Sequence, residues 1–266
     1  MEQRRTEQAY WEDTYRFRDT AHVVQVAEHP PPRGSAAGAS YFAVVLDRTI
    51  FHPQGGGQPF DTGVVASAAG VKFTVSEVRA NREDGVIQHI GTFAEAGTTF
   101  QAGDEVELQI DEAKRRLHAR LHSAGHLLDK AVANLFPEYN LIPDKGYHFA
   151  DAPYVEYKGT FVPADKRQSA LKRLEDECNR LIAEGSEVTV QVVHSKEEVE
   201  RLCGSASDSG ANPTEPVRVV TVCAPLGCPC GGTHVQNTGE IGRIAIPKMS
   251  AKKGVVRISY TLLAQA

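Results

Sequence analysis

The chain has 266 residues, 41% hydrophobic and 24% charged, the balance of a soluble globular protein with one large domain or two modest ones. Its 29 basic and 34 acidic residues leave a net charge of −5, so bulk charge does not draw it to nucleic acid, and any such contact must come from a local basic patch. A helical membrane span needs a run of about eighteen apolar residues, and none occurs. The polar opening MEQRRTEQAYWEDTYRFRD lacks the apolar core of a secretory signal and is too acidic for a mitochondrial presequence, so a cytoplasmic protein is expected.

Residues 1–108 are strand-rich. HVVQVAEH, YFAVVLDRTIF, GVVASAAGVKFTVSEVRA, GVIQHIGTF and DEVELQID are β-branched runs punctuated by Gly, Pro, Asn and Asp, as in a small β-barrel or sandwich. The period changes at Asp111. Leu117, Leu121, Leu128, Val132 and Leu135 fall at helical spacing, with Asp111 as N-cap and Pro137 just past the end. A strand-like KGYHFADAPYVEYKGTF follows, then a second helix, ADKRQSALKRLEDECNRLIAEG, closing at Gly185. EVTVQVVH reads as a strand and SKEEVERLCG as a short helix between Ser195 and Gly204. PVRVVTVC, GEIGRIAIPKMS and VVRISYTLL read as further strands, and the polar SASDSGANPTEP as a surface loop. The predicted organisation is α+β: a β-barrel-like domain over residues 1–108, then a layered α+β domain over 109–266.

Two motifs carry metal chemistry. His122 and His126 in HSAGH stand four apart on the predicted helix, hence on one face with Cβ atoms about 5–6 Å apart. His118 extends the row. Two such histidines alone are as readily a polar stripe. Cys230 and His234 in CGGTH bracket Gly231 and Gly232, which let the backbone turn tightly around an ion. A thiolate with imidazoles is zinc chemistry, and an odd count of five cysteines with no signal peptide argues against a disulfide framework. One zinc ion held by His122, His126, Cys230 and His234 is the expected centre. Cys223 and Cys228 are spare thiols that either replace a ligand or serve as small core residues. HSAGH lacks the glutamate of HExxH, so a zinc peptidase is disfavoured. Four protein ligands close a zinc site, whereas a catalytic zinc keeps one position for water; the residues allow either.

FHPQGGGQPFDTG is not a P-loop, since no Lys-Ser/Thr follows the glycines. It is either a hairpin turn loosened by Gly55, Gly56 and Gly57, or backbone that approaches a ligand closely while Gln58 presents an amide. Gly56-Gly57-Gln58 spells the catalytic tripeptide of peptide release factors, although its surroundings do not match one.

HSAGHLLD, KGYHFADAPYVEYKG, CGGTHV with GEIGRI after it, and FHPQGGGQPFDTG together resemble the editing domain of alanyl-tRNA synthetase. More closely they resemble its freestanding relatives, the AlaX proteins, in the medium-length class. The likeness runs from YWEDTYRF to VVRISY. It implies an editing domain of the kind shared by the threonyl and alanyl enzymes. It also implies hydrolysis of the ester between a wrong amino acid, chiefly serine and in some members glycine, and alanine-specific tRNA. The four metal ligands above match the family's zinc motifs. Gln58 and Thr233 are then the expected catalytic pair, and Gly56, Gly57, Gly125 and His148 the expected pocket. Many embedded editing domains carry Thr where this chain has Gly125, which bears on serine against glycine. With no recognisable aminoacylation domain, adenylate formation is not expected.

The partner implied is mischarged alanine-specific tRNA within the translation machinery. Arg116 and Arg120, and Lys252 and Lys253 with Lys248 and Arg257 beside them, are candidate phosphate contacts. His148, Tyr154 and Glu156 alternate by two and are expected to face one side. A deacylase acting in trans competes here with a non-catalytic, zinc-stabilised RNA-binding adaptor. A small-ester hydrolase is disfavoured because no GxSxG occurs.

Overall fold

The computed structural model describes residues 5–32, 34, 39–159, 163–204 and 216–264. The expected surface loop SASDSGANPTEP lies outside them apart from Pro216. The chain parts into two compact units. One comprises residues 1–55 and 59–116; the other comprises residues 56–58 and 117–266. The class is the α+β one expected from the sequence, with a six-stranded barrel and, among the described residues, three α-helices.

In the first unit, a parallel pairing joins the short strand β1 (Glu7–Gln8), ahead of the barrel strands, to β4 (Arg48–Thr49), which lies among them in sequence. The barrel strands are β2 (Arg18–His29), β3 (Tyr41–Leu46), β5 (Gly63–Ser67), β6 (Lys72–Ala80), β7 (Ile87–Phe93) and β8 (Glu105–Ile110). They close in the order β2-β3-β7-β6-β5-β8, every pairing antiparallel. β8 alternates exposed and buried residues along its length, the period of a strand with one face in a core. Val106, Leu108 and Ile110 thereby join Val44, Phe73, Val75 and Ile87 inside the barrel.

Helix α1 (Glu112–Leu135) begins as predicted, with Asp111 Oδ1 accepting from the Lys114 amide at 3.1 Å. Its first turn belongs to the first unit. There Arg115 is fully buried, its Nε 3.1 Å from Asp61 Oδ2 and its Nη1 donating to the Thr14 carbonyl at 2.7 Å. A guanidinium removed from water needs both the charge and the hydrogen-bond partners found there.

The second unit is built on an antiparallel sheet ordered β14-β15-β10-β9: Ile244–Lys252, Val255–Leu262, Tyr154–Lys158 and Ile142–Tyr147. Helix α1 from Leu117 onward and helix α2 (Arg167–Glu184) share one core with it. The helical stripe is wider than the predicted one. Leu121, Leu128 and Val132 are buried, and so are Ala119, Ala124, Leu127 and Ala131, while Leu117 and Leu135 sit at its margin. Each buried leucine contributes about 1.5–3 kcal/mol. Helix α2 ends on Gly185 in the left-handed region (φ 65°).

A second antiparallel sheet joins β11 (Thr189–Val193), β12 (Val217–Thr221) and β13 (Cys228–Pro229). Helix α3 (Lys196–Cys203) packs on it, with Ser195 accepting from the Glu198 amide. GEIGRI begins not as a strand but as a single 3-10 turn, Thr238–Ile241, closed by a reciprocal cap between Asn237 and Glu240. The sequence has that capping chemistry, and it outcompetes the β-branched pattern until Ile244.

Candidate metal centre and acyl pocket

The two motifs meet in the second unit. The ligand atoms of His122, His126, Cys230 and His234 all lie within 4.8 Å of one another. Helix α1 supplies the first two. The turn after β13 supplies Cys230, and His234 follows it. Cys230 Sγ is 3.5 Å from His122 Nε2 and 3.3 Å from His234 Nε2. A tetrahedron with Zn–S of about 2.3 Å and Zn–N of about 2.05 Å has S···N edges of about 3.6 Å, so the donor set fits one zinc ion.

The outer nitrogens are held by neighbours, which fixes both rings. His122 Nδ1 donates to Gln58 Oε1 at 2.8 Å, and His234 Nδ1 pairs with Ser123 Oγ at 3.1 Å. Each ring therefore turns Nε2 toward the thiol, the arrangement that outer hydrogen bonds impose on metal-bound histidine. Burial and the nearby Arg218 charge lower His126 to about 4. That ring stays neutral, as a ligand must. Burial pushes the Cys230 thiol up, while the Gly232 amide and Arg218 act in the opposite sense.

Gln58 and Thr233 are both fully buried, and neither lines the cavity. Gln58 Oε1 accepts from the Thr233 amide as well as from His122, and its Nε2 donates to Thr233 Oγ1, both at 2.9 Å. The amide that the sequence suggested would face a ligand is thus committed to holding His122 and the CGGTH turn. Gly232 explains why that turn carries glycine. A Cβ there would lie 2.2 Å from His122 Cε1 and 2.9 Å from Gln58 Oε1.

A cavity of about 530 Å³ opens beside the ligands, lined by Gly56, Gly57, Gly125, Asp129, Gly146, His148, Tyr154 and Cys228 among others. That is the size of a small-molecule site. His148 forms its inner wall. Its ring stacks on His122 at a centroid distance of 4.5 Å, and its amide donates to the Gly57 carbonyl at 2.8 Å. Tyr260 gives its hydroxyl hydrogen to the Leu121 carbonyl at 2.9 Å, so its oxygen accepts from His148 Nδ1 at 2.7 Å. Nε2 of His148 is therefore the unprotonated nitrogen. Burial, with the neighbouring His126, takes this residue down to about 3. The ring occupies space that glycines leave free: a Cβ on Gly125 would come within 2.4 Å of Cε1, and one on Gly146 within 2.3 Å of Nε2.

Several site residues escaped sequence reasoning. Ser123 lies inside HSAGH itself. Arg218 is buried and its Nη1 donates to the Cys230 and Gly232 carbonyls, both at 2.8 Å, clamping the ligand turn. Its signal is a lone charge in the β-branched run PVRVVTVC. Asp129 sits seven residues past His122 and lines the cavity. Burial pushes its carboxyl up to about 7, against the hydrogen bond from Tyr157.

The candidate phosphate contacts divide. Lys252 and Lys253 are exposed at the turn between β14 and β15. Arg116 pairs with Glu112 and lies over Tyr15 and Phe17, 4.5 and 4.9 Å from the ring centroids. Arg120 donates to the Ile241 carbonyl. Of the alternating trio, His148 and Tyr154 line the cavity, while Glu156 pairs with Arg257. Among the described residues, no helix is long and apolar enough to cross a membrane.

Known proteins share this arrangement of sequence. Residues 2–114 match the family described as tRNA synthetases class II (A), and residues 217–259 match the threonyl and alanyl tRNA synthetase second additional domain. The alanine–tRNA ligase of Methanothrix thermoacetophila is 35% identical over 225 residues, 82% of this chain; the chain spans only 23% of that ligase. The alanyl-tRNA editing protein AlaX-M of Methanosarcina barkeri is 33% identical over 225 residues, covering 83% of this chain and 88% of the relative. AlaX-L of Pyrococcus horikoshii is 28% identical over 257 residues, covering 96% of this chain and 57% of the relative. A likeness of this extent to a relative of nearly the same span means that the chain belongs to the AlaX family.

Proposed function

We propose that the protein is an aminoacyl-tRNA deacylase acting in trans in the cytoplasm. In this reading it hydrolyses the ester joining serine, and secondarily glycine, to alanine-specific tRNA, and it holds one zinc ion on His122, His126, Cys230 and His234. The observation that carries the reading is the convergence of these four side chains at the wall of a cavity of about 530 Å³, in a chain of the AlaX family. The names of its relatives, alanyl-tRNA editing protein and alanine–tRNA ligase, support the choice of tRNA.

Serine differs from alanine by one hydroxyl, and a small apolar pocket rejects that addition by only about 10²-fold, so a second hydrolytic site is useful. Here His148, whose ring lines the cavity and carries its unprotonated nitrogen at Nε2, is our candidate acceptor for the seryl hydroxyl. An alanyl group would leave that buried acceptor unpaired, at about 1–3 kcal/mol. The ion, when bound, supplies Lewis acidity at the ester carbonyl. Gln58, Thr233, Ser123 and Arg218 hold its ligands, and Gly56 and Gly57 let the substrate approach the backbone. Lys252 and Lys253, both exposed, would meet tRNA phosphates.

Deacylation of Ser-, Gly- and Ala-tRNA(Ala) with and without a chelator tests the reading. Serine should be released fastest, alanine should persist, and chelation should stop the reaction until zinc is restored. Binding of Ser-tRNA(Ala) without release of serine would favour the adaptor reading, which a closed four-ligand centre also suits.

A further inference from the structure

The cavity holds a carboxylate that metal binding does not use. Asp129 follows His126 by three residues on helix α1, about 4.5 Å further along the axis and nearly on the same face. It is outside the ligand cluster yet lines the same cavity. The Tyr157 hydroxyl donates to Asp129 Oδ1 at 2.8 Å. Among the described residues no cation pairs with this carboxylate. The other acidic residue in the lining, Asp144, is paired with Lys158. A half-buried carboxyl with no counter-charge relieves that cost by holding a proton, and a cationic ligand beside it would favour the charged form instead.

The charge expected around the cavity bears on what that ligand carries. A divalent ion on three neutral imidazoles and one thiolate would leave a net positive centre, and Arg218 adds a buried positive charge behind Cys230. An aminoacyl ester brings an α-ammonium one carbon from its carbonyl. With the carbonyl facing the ligands, the ammonium falls within one helical turn and needs an anion to enter a positive pocket. We infer that Asp129 is the α-amino subsite of the cavity: its Oδ2 receives the α-ammonium of the aminoacyl ester, and Tyr157 orients the carboxylate. This assignment rests on the deacylase reading above, and it makes the preferred substrate a free, not an N-blocked, aminoacyl ester.

The test compares Ser-tRNA(Ala) with the same tRNA esterified by the α-hydroxy analogue of serine, in which a hydroxyl replaces the ammonium. Each rate is divided by the spontaneous hydrolysis rate of that ester, since the ammonium also activates the carbonyl. The zinc-loaded wild type should prefer the amino ester by about tenfold or more, the scale of a charge-assisted hydrogen bond. Asp129→Asn keeps an acceptor for Tyr157 and should erase that preference at unchanged zinc content, with the loss in kcat/KM confined to the amino ester. A preference that survives in Asp129→Asn overturns the inference. So do equal normalised rates in the wild type, a measurement that needs no variant to fold. If zinc-loaded wild type releases neither acyl group, the deacylase reading itself fails and takes this one with it.

Discussion

The inner wall of the cavity can be tested by adding a single methyl group. In Gly125→Ala the new Cβ would lie 2.4 Å from His148 Cε1 and 2.9 Å from its Nδ1, about 1 Å closer than carbon atoms approach without repulsion. Helix α1 cannot retreat, because Ala124, Leu127 and Leu128 on either side are fully buried. His148 cannot retreat without breaking its bond to Tyr260 or the one from its amide to Gly57. Overpacking of this kind costs about 1–3 kcal/mol, and a buried His148 Nδ1–H left without its Tyr260 acceptor costs a similar amount. Gly125→Ala should therefore destabilise the zinc-loaded protein by about 2–3 kcal/mol. His148→Ala removes the obstacle at its own cost, and in that background the added methyl should cost under about 0.5 kcal/mol. Urea denaturation of the wild type, both single variants and the double variant gives the four corners of the cycle. A coupling of about 2 kcal/mol in favour of the double variant is expected. Additivity within about 0.5 kcal/mol would refute the claim that the glycine and the ring occupy one space.

Other consequences are as direct. Gln58→Ala removes the acceptor that holds His122, and zinc affinity by chelator competition should fall about 10–100-fold, with Gln58→Glu restoring much of it; unchanged affinity would show that Gln58 acts elsewhere. Arg218→Met leaves the Cys230 and Gly232 carbonyls without their donor, so zinc should dissociate faster and the melting temperature should fall, and an unaltered off-rate would count against the clamp. In the barrel, His89 is buried and lowered to about 4, chiefly by burial. Its Nδ1 donates to the Val44 carbonyl and its Nε2 accepts from Thr49. The folded state therefore binds fewer protons than the unfolded one between about pH 6.5 and 4, and stability falls as pH drops through that window. The His89 share is about 3 kcal/mol by pH 4. A His89→Gln variant should show a flatter decline in urea midpoint, and a parallel decline would dismiss the assignment.

How much of this was legible in the sequence depended on the distance over which each signal acts. Helix α1 announced itself because its period repeats over six turns and its N-cap is adjacent. The cluster of His122, His126, Cys230 and His234 was legible as a candidate metal site because the members of each pair stand four positions apart, and thiol with imidazole is zinc chemistry. Gln58 was marked by its glycines but given the wrong direction to face. Its partners, His122 and Thr233, stand 64 and 175 positions away, and no local pattern encodes such a bond. The same holds for the space around His148: the glycines at 125 and 146 clear it for one ring, the glycine at 57 clears it for the backbone of Gly146, and nothing in any of the three segments alone indicates it. Arg218 and Asp129 were hidden differently. Each is a charged residue in an apolar pattern, which reads as an interruption until burial shows that it is paired or waiting for a partner.

Neither compact unit is an unbroken piece of chain, and this limits how the protein can be taken apart. A barrel fragment that stops short of the helix would carry Asp61 without Arg115, burying an anion whose counterion had been cut away. A helix-and-sheet fragment starting at Leu117 would keep all four members of the His/Cys cluster yet lack the glutamine bonded to His122. Any working half must borrow a few residues from the other, so a deletion series that respects only chain order should yield pieces that are unstable or bind metal loosely.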